Sequence, residues 1–349
     1  MVKKAVKKSS QKNILDLIDE AGLVGRGGAS FSVAKKISLV KESLKTRKEG
    51  YIIVNGAEGE PGVKKDGYIL NHYPEDIVNG IYLIHQFLGK QKIKHIYFFL
   101  SHDYYKKYSQ KIKDILGQKK YSVIEEKIIF IVKSEDLFYI SGEETALLNF
   151  IEGKKIEPRL KPPYPTDHGL FKSPTLVNNV ETFYDISLVS RKQFKNERFY
   201  SINGAVKRKG VYHLSAILSI EDVLRHTNNI PNFPFFVQVG GEAAGEVLNS
   251  EQLNRPIEDA GSITVYDLKK TDKNKLLSYW INFFASQSCG NCTTCREGTY
   301  RLKELFAQKK FDKELFWDLI TNLEETSFCT LGRSLPVPIK SYFMNILKN

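Results

Sequence analysis

Four cysteines, none of them before position 289 of a 349-residue chain, constrain this sequence more than anything else in it. Three form the run Cys289-Gly-Asn-Cys292-Thr-Thr-Cys295, and the fourth, Cys329, follows well downstream. A disulfide scaffold would spread its pairs through a small domain. Three thiolates two residues apart wrap one face of a cubane and a distant fourth closes the cage, so the set suits one [4Fe–4S] cluster. Zinc is the runner-up, but four-cysteine zinc sites usually come as two separated C-x-x-C pairs, and no histidine follows this run. Free thiols leave unexplained why every cysteine belongs to the set. One cluster moves one electron at a time, which implies a second redox group.

The rest of the composition is that of an ordinary globular chain, with 42% hydrophobic and 26% charged residues. The net charge of +12 raises nucleic acid, anionic lipid or an acidic protein as partners. Much of the excess falls in the first 50 residues, and no nucleic-acid recognition motif accompanies it, so no nucleic-acid partner is expected. No apolar run is long enough for a membrane span. The basic start lacks an apolar h-region, so the expectation is a cytoplasmic protein.

Residues 1–12 read as a disordered basic tail. Asn13 to Ala21 reads as a short helix ending at a glycine-rich turn, and residues 31–48 as a second helix. Tyr51 to Val54, His95 to Leu100 and Ile128 to Val132 are strand-like runs, with helices over Pro74 to Leu88, Asp103 to Leu116 and Gly142 to Ile151. Strands alternating with helices predict a mainly parallel sheet covered on both faces. From about residue 198 the pattern becomes a hairpin (Phe199 to Tyr212), a helix (Ser219 to His226) and strands at Phe235 to Val239 and Ser262 to Tyr266. Beyond Asp272 only helical stretches remain. The expected organisation is therefore a tail (1–12), an α/β domain (13–197), a small α+β domain (198–268) and a helical domain holding all four cysteines (269–349).

Three polar segments look like ligand loops. Gly25-Arg-Gly27-Gly28 stands just before a helix, where bare backbone N–H groups approach a phosphate; alone it reads more readily as a plain turn. Asn55-Gly-Ala57-Glu58-Gly-Glu60-Pro-Gly62 follows a strand, and Asn178-Asn179-Val-Glu181-Thr182 reads as another polar loop. Loops at the carboxyl ends of parallel strands are where open α/β sheets bind ligands. Glu143-Glu144 opens a helix, where acidic residues also simply complement the helix dipole.

In order along the chain, Gly25-Arg-Gly-Gly-Ala29, Glu58-Gly-Glu-Pro-Gly62, Gly142-Glu-Glu-Thr-Ala-Leu-Leu148, Pro158-Arg-Leu-Lys-Pro-Pro163, Asn178-Asn-Val-Glu-Thr182 and Ser288-Cys-Gly-x-Cys-x-x-Cys-Arg-Glu-Gly298 resemble one family. It is the FMN- and NADH-binding 51 kDa flavoprotein of bacterial respiratory complex I (its F subunit), with the similar diaphorase subunits of NAD-linked hydrogenases and formate dehydrogenases. The resemblance implies a Rossmann-like flavin domain, a β-grasp (ubiquitin-like) domain and a C-terminal helical bundle carrying the iron–sulfur cluster. It implies FMN contacts at Gly25, Gly27, Gly28, Lys36, Asn55, Glu58, Gly142, Glu143, Asn178, Asn179 and Thr182. It places Phe31 and Tyr164 as adenine-stacking aromatics, Glu60 and Glu144 near the nicotinamide of NAD(H), and the cluster on Cys289, Cys292, Cys295 and Cys329. The implied function is electron input to an NADH:quinone oxidoreductase, with hydride passing from NADH to FMN and single electrons onward to the cluster. Implied partners are the other peripheral-arm subunits, the [2Fe–2S] 24 kDa-type subunit and the large iron–sulfur subunit, at the inner face of the cell membrane.

The chain departs from the family pattern where nucleotides bind. Ser30 and Ala34 stand where the family has glycine, Ile37 where it has tryptophan, Leu39 where phenylalanine is frequent, and Ala57 where it has an acidic residue. Two alternatives to NADH input therefore stand beside it: electrons from a reduced ferredoxin or flavodoxin, both acidic, or a non-catalytic relay subunit that keeps the cluster without FMN.

Overall fold

The computed structural model describes residues 12–28, 30–133, 139–258, 260–308 and 311–347. Of the expected basic tail, residues 1–11 lie outside the described residues. In chain order the first unit comprises α1 (Ile14–Glu20), α2 (Val33–Thr46), β1 (Gly50–Gly56), α3 (Lys65–His72), α4 (Pro74–Leu88), β2 (Ile93–Ser101), α5 (His102–Leu116), α6 (Ser122–Glu125), β3 (Ile128–Lys133), α7 (Glu144–Ile151), α8 (Pro165–His168), β4 (Thr175–Asn179) and α9 (Val180–Ser190). Its four strands pair in parallel in the order β3-β2-β1-β4.

Burial explains the strands. Along β1 the side chains alternate between two cores: Ile52 and Val54 join a cluster with Ile37, Val40, Ile81 and Phe183, while Tyr51 and Ile53 join Phe99, Leu147 and Leu148 on the opposite face. A strand covered on both sides reads as a continuous apolar run, and that is why β1 and β2 stand out in the sequence. The order also fixes where a ligand can sit. The chain steps from β1 outward to β2 and β3, then returns to place β4 on the other side of β1, so the crevice at the carboxyl ends of β1 and β4 is a topological switch point.

The second unit is a five-stranded sheet of β5 (Glu197–Gly204), β6 (Gly210–Ser215), β7 (Phe235–Val239), β8 (Glu246–Asn249) and β9 (Ser262–Asp267), in the order β6-β5-β9-β7-β8. A single helix, α10 (Ile220–His226), covers one face through Ile220, Val223 and Leu224. This is the β-grasp arrangement. The last unit is helical: α11 (Lys273–Gln287), α12 (Thr293–Ala307), α13 (Lys313–Thr326), α14 (Thr330–Ser334) and α15 (Pro336–Tyr342). Trp280, Phe284, Phe316 and Tyr342 fill its core, which continues into Phe236 and Val247 of the second sheet.

Several elements escape the sequence reading, among them β4, α9, α3 and β8. Asn178 and Asn179 are the last residues of β4, and Glu181 and Thr182 form the first turn of α9, so that segment is a strand–helix junction and not an open loop. Thr175-Leu-Val is too short an apolar run to announce a strand. It becomes one because it pairs residue for residue with Tyr51 to Ile53. Helix α3 and the edge strand β8 carry mixed or minimal apolar patterning and are equally silent.

Helices α4 and α9 cross in close contact at Gly80. A Cβ built there would lie 2.0 Å from the Phe183 carbonyl oxygen, which is backbone and cannot swing aside. Gly80→Ala is expected to cost about 1–3 kcal/mol by overpacking. Gly117→Ala, where the nearest atom lies 3.7 Å away, should stay within about 0.5 kcal/mol of wild type. Denaturant midpoints of the two variants measure the difference.

Candidate functional site

Three helix N-termini converge on the crevice at the switch point. Ser32 caps α2 by accepting from Lys35 N, Glu143 caps α7 by accepting from Thr145 N and Ala146 N, and Asn179 caps α9 by accepting from Glu181 N. Unpaired N–H groups and helix dipoles make such a place favourable to an anion. The glycine turn lies against it: Arg26 N donates to Thr182 Oγ1 at 3.1 Å, and a Cβ on Gly27 would sit 3.7 Å from the Asn179 Cβ. Gly28 has φ +103°, a conformation L side chains rarely adopt, and a Cβ there would meet nothing within 4 Å. Gly25 N donates to Phe31 O at 2.9 Å and closes the turn.

Between these walls the polar groups are tied to one another. Asn55 Nδ2 donates to Gly142 O at 3.0 Å, and Asn179 Nδ2 to Asn55 O at 3.1 Å. Lys36 Nζ reaches Glu144 Oε1 at 2.8 Å and Val177 O at 2.9 Å. Lys161 bridges Glu143 Oε1 at 3.0 Å and Glu144 Oε2 at 3.9 Å. Asn178 is buried, yet its Nδ2 has no partner among the described residues. A buried donor left unsatisfied costs free energy, so this amide is matched to an acceptor on a ligand. Together with the bare backbone at Gly28 and Gly142, it makes the crevice a fit for a flavin mononucleotide.

Not every expected residue faces that space. Both Glu58 oxygens turn to α3 and α5: Oε1 accepts from Asp66 N at 3.0 Å, and Oε2 from Tyr104 Oη at 2.6 Å. Part of the residue reaches the surface, but its carboxylate is enclosed, and burial, reinforced by Asp66, pushes it up to about 7. Glu60 Oε1 accepts from Ala243 N at 2.9 Å and Ala244 N at 3.1 Å, joining the loop after β1 to the β-grasp unit. Burial holds it above the usual carboxylate range. Phe31 and Tyr164 stand 43% and 58% exposed at the rim, far more than aromatic rings in a core. Of the departures, Ser30 adopts a left-handed φ of 47° with its hydroxyl on Glu258 O at 3.2 Å. Ala34 and Ile37 are buried in the α2 core, while Leu39 lies exposed.

Sequence reasoning did not single out the buried charges beneath the turn. Arg26 Nε pairs with Asp185 at 2.9 Å, and Lys65 Nζ pairs with Asp66 at 2.7 Å and Glu181 at 2.9 Å, all nearly inaccessible. Burial alone would pull the Arg26 guanidinium down, but Asp185 and Glu181 outweigh it; Asp66 and Glu181 likewise hold Lys65 protonated. Arg26 at least had a signal, a charged residue inside a glycine run. Lys65 and Asp66 had none.

The four thiols are unpaired with one another as disulfides and all line the helical core. Cys295 is buried, and burial pushes it up to about 11. Its three fellow thiols are close enough to raise it further. Cys292 is the N-cap of α12, a position whose dipole favours a thiolate, and backbone N–H groups of Leu331 and Gly332 reach Cys329. At Gly332 a Cβ would stand 3.2 Å from the Cys295 Cβ and 2.3 Å from Ser327 Oγ, so only glycine lets the two cysteine segments approach. Among the described residues no three His, Cys, Asp or Glu side chains are arranged to hold a single metal ion. Four thiols gathered at the edge of one helical core suit an iron–sulfur group.

Comparison with known proteins agrees with both sites. Residues 18–188 match the Nuo51 FMN-binding domain, and residues 275–346 match the NADH-ubiquinone oxidoreductase-F iron-sulfur binding region. The F subunit of NADH-quinone oxidoreductase from Buchnera aphidicola subsp. Acyrthosiphon pisum is 30% identical, over 85% of this chain and 73% of the relative. The corresponding F subunit of Aquifex aeolicus is 30% identical, over 93% of this chain and 82% of the relative. Among solved structures, a chain of an NAD+-reducing [NiFe]-hydrogenase in the air-oxidized state superposes with a TM-score of 0.85 at 28% identity, over 96% of this chain. This chain spans 61% of that hydrogenase chain. With a flavin crevice at the switch point, a four-thiol centre in the helical unit and relatives matched along most of its length, the chain belongs to the family of NADH-quinone oxidoreductase F subunits, oxidoreductase components that bind FMN and a [4Fe–4S] cluster.

Proposed function

We propose that this protein is the electron-entry subunit of a complex I-type NADH:quinone oxidoreductase, with the flavin unit over residues 13–197, the β-grasp unit over 198–268 and the cluster unit over 269–349. FMN, when bound, accepts a hydride and releases its electrons singly. The observation that carries the reading is that one hydrogen bond links the two sites within one packed chain, Tyr139 N, three residues before Gly142, donating at 2.6 Å to Gln287 Oε1, two residues before Cys289.

The chain's own residues then take these parts. Gly25, Gly27, Gly28, Asn179 and Thr182 offer bare backbone and a helix N-terminus to the phosphate. Asn55, Asn178, Gly142 and Glu143 frame the ring and ribityl, and Lys36 supplies a cation. Glu58 acts at one remove, holding α3 and Tyr104 under the loop. Phe31 and Tyr164 stack the adenine at the rim. Glu144, set between Lys36 and Lys161, orients the nicotinamide, and Glu60 keeps the loop after β1 against the β-grasp unit beside it. Cys289, Cys292, Cys295 and Cys329 hold the cluster. No helix among the described residues is long and apolar enough to cross a membrane. Attachment to the inner face of the cell membrane would come through the 24 kDa-type and large iron–sulfur subunits.

The left-handed Ser30 favours a second reading of the donor. A non-glycine residue there costs about 1–2 kcal/mol and places a Cβ on the loop a dinucleotide approaches, so a reduced ferredoxin or flavodoxin remains the alternative source of electrons.

The decisive experiment is the visible spectrum of the purified protein with and without NADH: bleaching of bound flavin supports NADH as donor, and flavin that bleaches only with reduced ferredoxin or flavodoxin supports the alternative. Protein isolated without flavin would leave only the relay role. Replacing any one of Cys289, Cys292, Cys295 or Cys329 by serine should abolish or degrade the reduced-cluster EPR signal, since the chain has no spare thiol. Zinc without iron after anaerobic purification would refute the assignment. Glu144→Gln should alter NADH affinity or hydride transfer while flavin and cluster stay bound; loss of flavin would instead place Glu144 in the FMN shell. Ser30→Gly with Leu39→Phe should tighten NADH by about 10–100-fold, from stacking worth about 1–3 kcal/mol, read from the NADH dependence of ferricyanide reduction.

A further inference from the structure

The flavin crevice and the cluster meet at two adjacent residues. Gln287 is the last residue of α11 and Ser288 is its C-cap. On one side, Gln287 Oε1 accepts from Tyr139 N at 2.6 Å. Tyr139 opens the turn Tyr139–Gly142 that leads into Glu143 and Glu144. Its ring packs edge-on against Phe283 of the same helix, centroids 5.6 Å apart. On the other side, Ser288 Oγ lies 3.4 Å from Cys295 Sγ and accepts from Gly290 N at 3.3 Å. With Gly290 N–H directed at its oxygen, the serine proton is available to the cysteine sulfur.

A hydrogen bond to a ligand sulfur favours the more negative state of an iron–sulfur group, and such bonds are among the levers that set its potential. The direction of this one depends on where α11 ends, and that end is fastened by Gln287 to the turn beside the flavin. We propose that Gln287 and Ser288 are positioning residues through which the Tyr139–Gly142 turn of the flavin site sets the reduction potential of the cluster. Ser288 raises the potential by donating to the Cys295 sulfur; Gln287 keeps Ser288 in reach by gripping Tyr139. The proposal rests on the reading that the four cysteines hold the cluster.

The test is an EPR-monitored redox titration of the purified holoprotein, with iron content measured in parallel. Ser288→Ala should lower the cluster midpoint by about 59 mV, a tenfold change in a one-electron equilibrium, and Ser288→Thr, which keeps the hydroxyl, should stay near wild type. Gln287→Leu should shift the midpoint in the same direction as Ser288→Ala. The double variant Gln287→Leu with Ser288→Ala should fall no further than Ser288→Ala alone, because both remove one hydrogen bond. An unmoved midpoint in Ser288→Ala, or full additivity in the double variant, overturns the proposal. If Ser288→Ala fails to retain iron, the comparison of Gln287→Leu with wild type decides, and equal midpoints refute it. A wild-type protein without iron would overturn the cluster reading and this proposal with it, whereas iron present with unmoved potentials overturns this proposal alone.

Discussion

The site stands on a set of charges that water does not reach. Arg26, Asp185, Lys65, Asp66 and Glu181 are each buried, and between them they hold the pieces of the crevice: the glycine turn, α3 and the first turns of α9. Glu181 also accepts from Phe199 N at 3.3 Å and Arg26 Nη2 donates to Glu197 O at 3.2 Å, which extends the network to β5. Burial would push the Glu181 carboxyl up, but Lys65 and Arg26 outweigh it and keep it ionised. Removing one member of such a buried set leaves its partner uncompensated, at a cost of about 3–5 kcal/mol. The glycine turn is thus held in one place by groups that never touch the ligand.

Above this base the crevice is balanced rather than simply cationic. Three helix N-termini and Lys36 favour an anion, while Glu143 and Glu144 stand at the same mouth and are themselves held by Lys161 and Lys36. Such interleaving suits a ligand with a phosphate at one end and a neutral, hydrogen-bonding ring at the other. Of the residues where this chain departs from its family, Ala34, Ile37 and Ala57 are buried and Leu39 is exposed. The base beneath FMN and the cysteine set are untouched by them.

Much of this was legible in the sequence, for physical reasons that differ by residue. The cysteines were plain because metal ligation permits few substitutes and fixes spacing. Strands β1 and β2 were plain because double-sided burial demands unbroken apolar runs. The Asn178-Asn179 segment was visible as a site but not as the end of a strand, since Thr175 to Val177 becomes a strand only by pairing with β1. Lys65 looks like any surface lysine, and its burial follows only from Asp66, Glu181 and Asn179 meeting it in space. The reach of Glu60 across to Ala243 spans 183 residues, a separation that no local pattern encodes.

That same reach governs how the chain could be divided. Glu242 N donates to Pro61 O at 2.8 Å, its carbonyl accepts from the Trp280 indole at 2.9 Å, and Lys64 N donates to Ser201 Oγ at 2.9 Å. The short loop after β1 therefore rests its backbone groups on the β-grasp unit, and Glu242 of that unit in turn holds Trp280 of the helical one. The units look like beads in the topology, but packing and hydrogen bonds cross each of their boundaries. Excising the middle one would strand buried N–H and C=O groups on both sides.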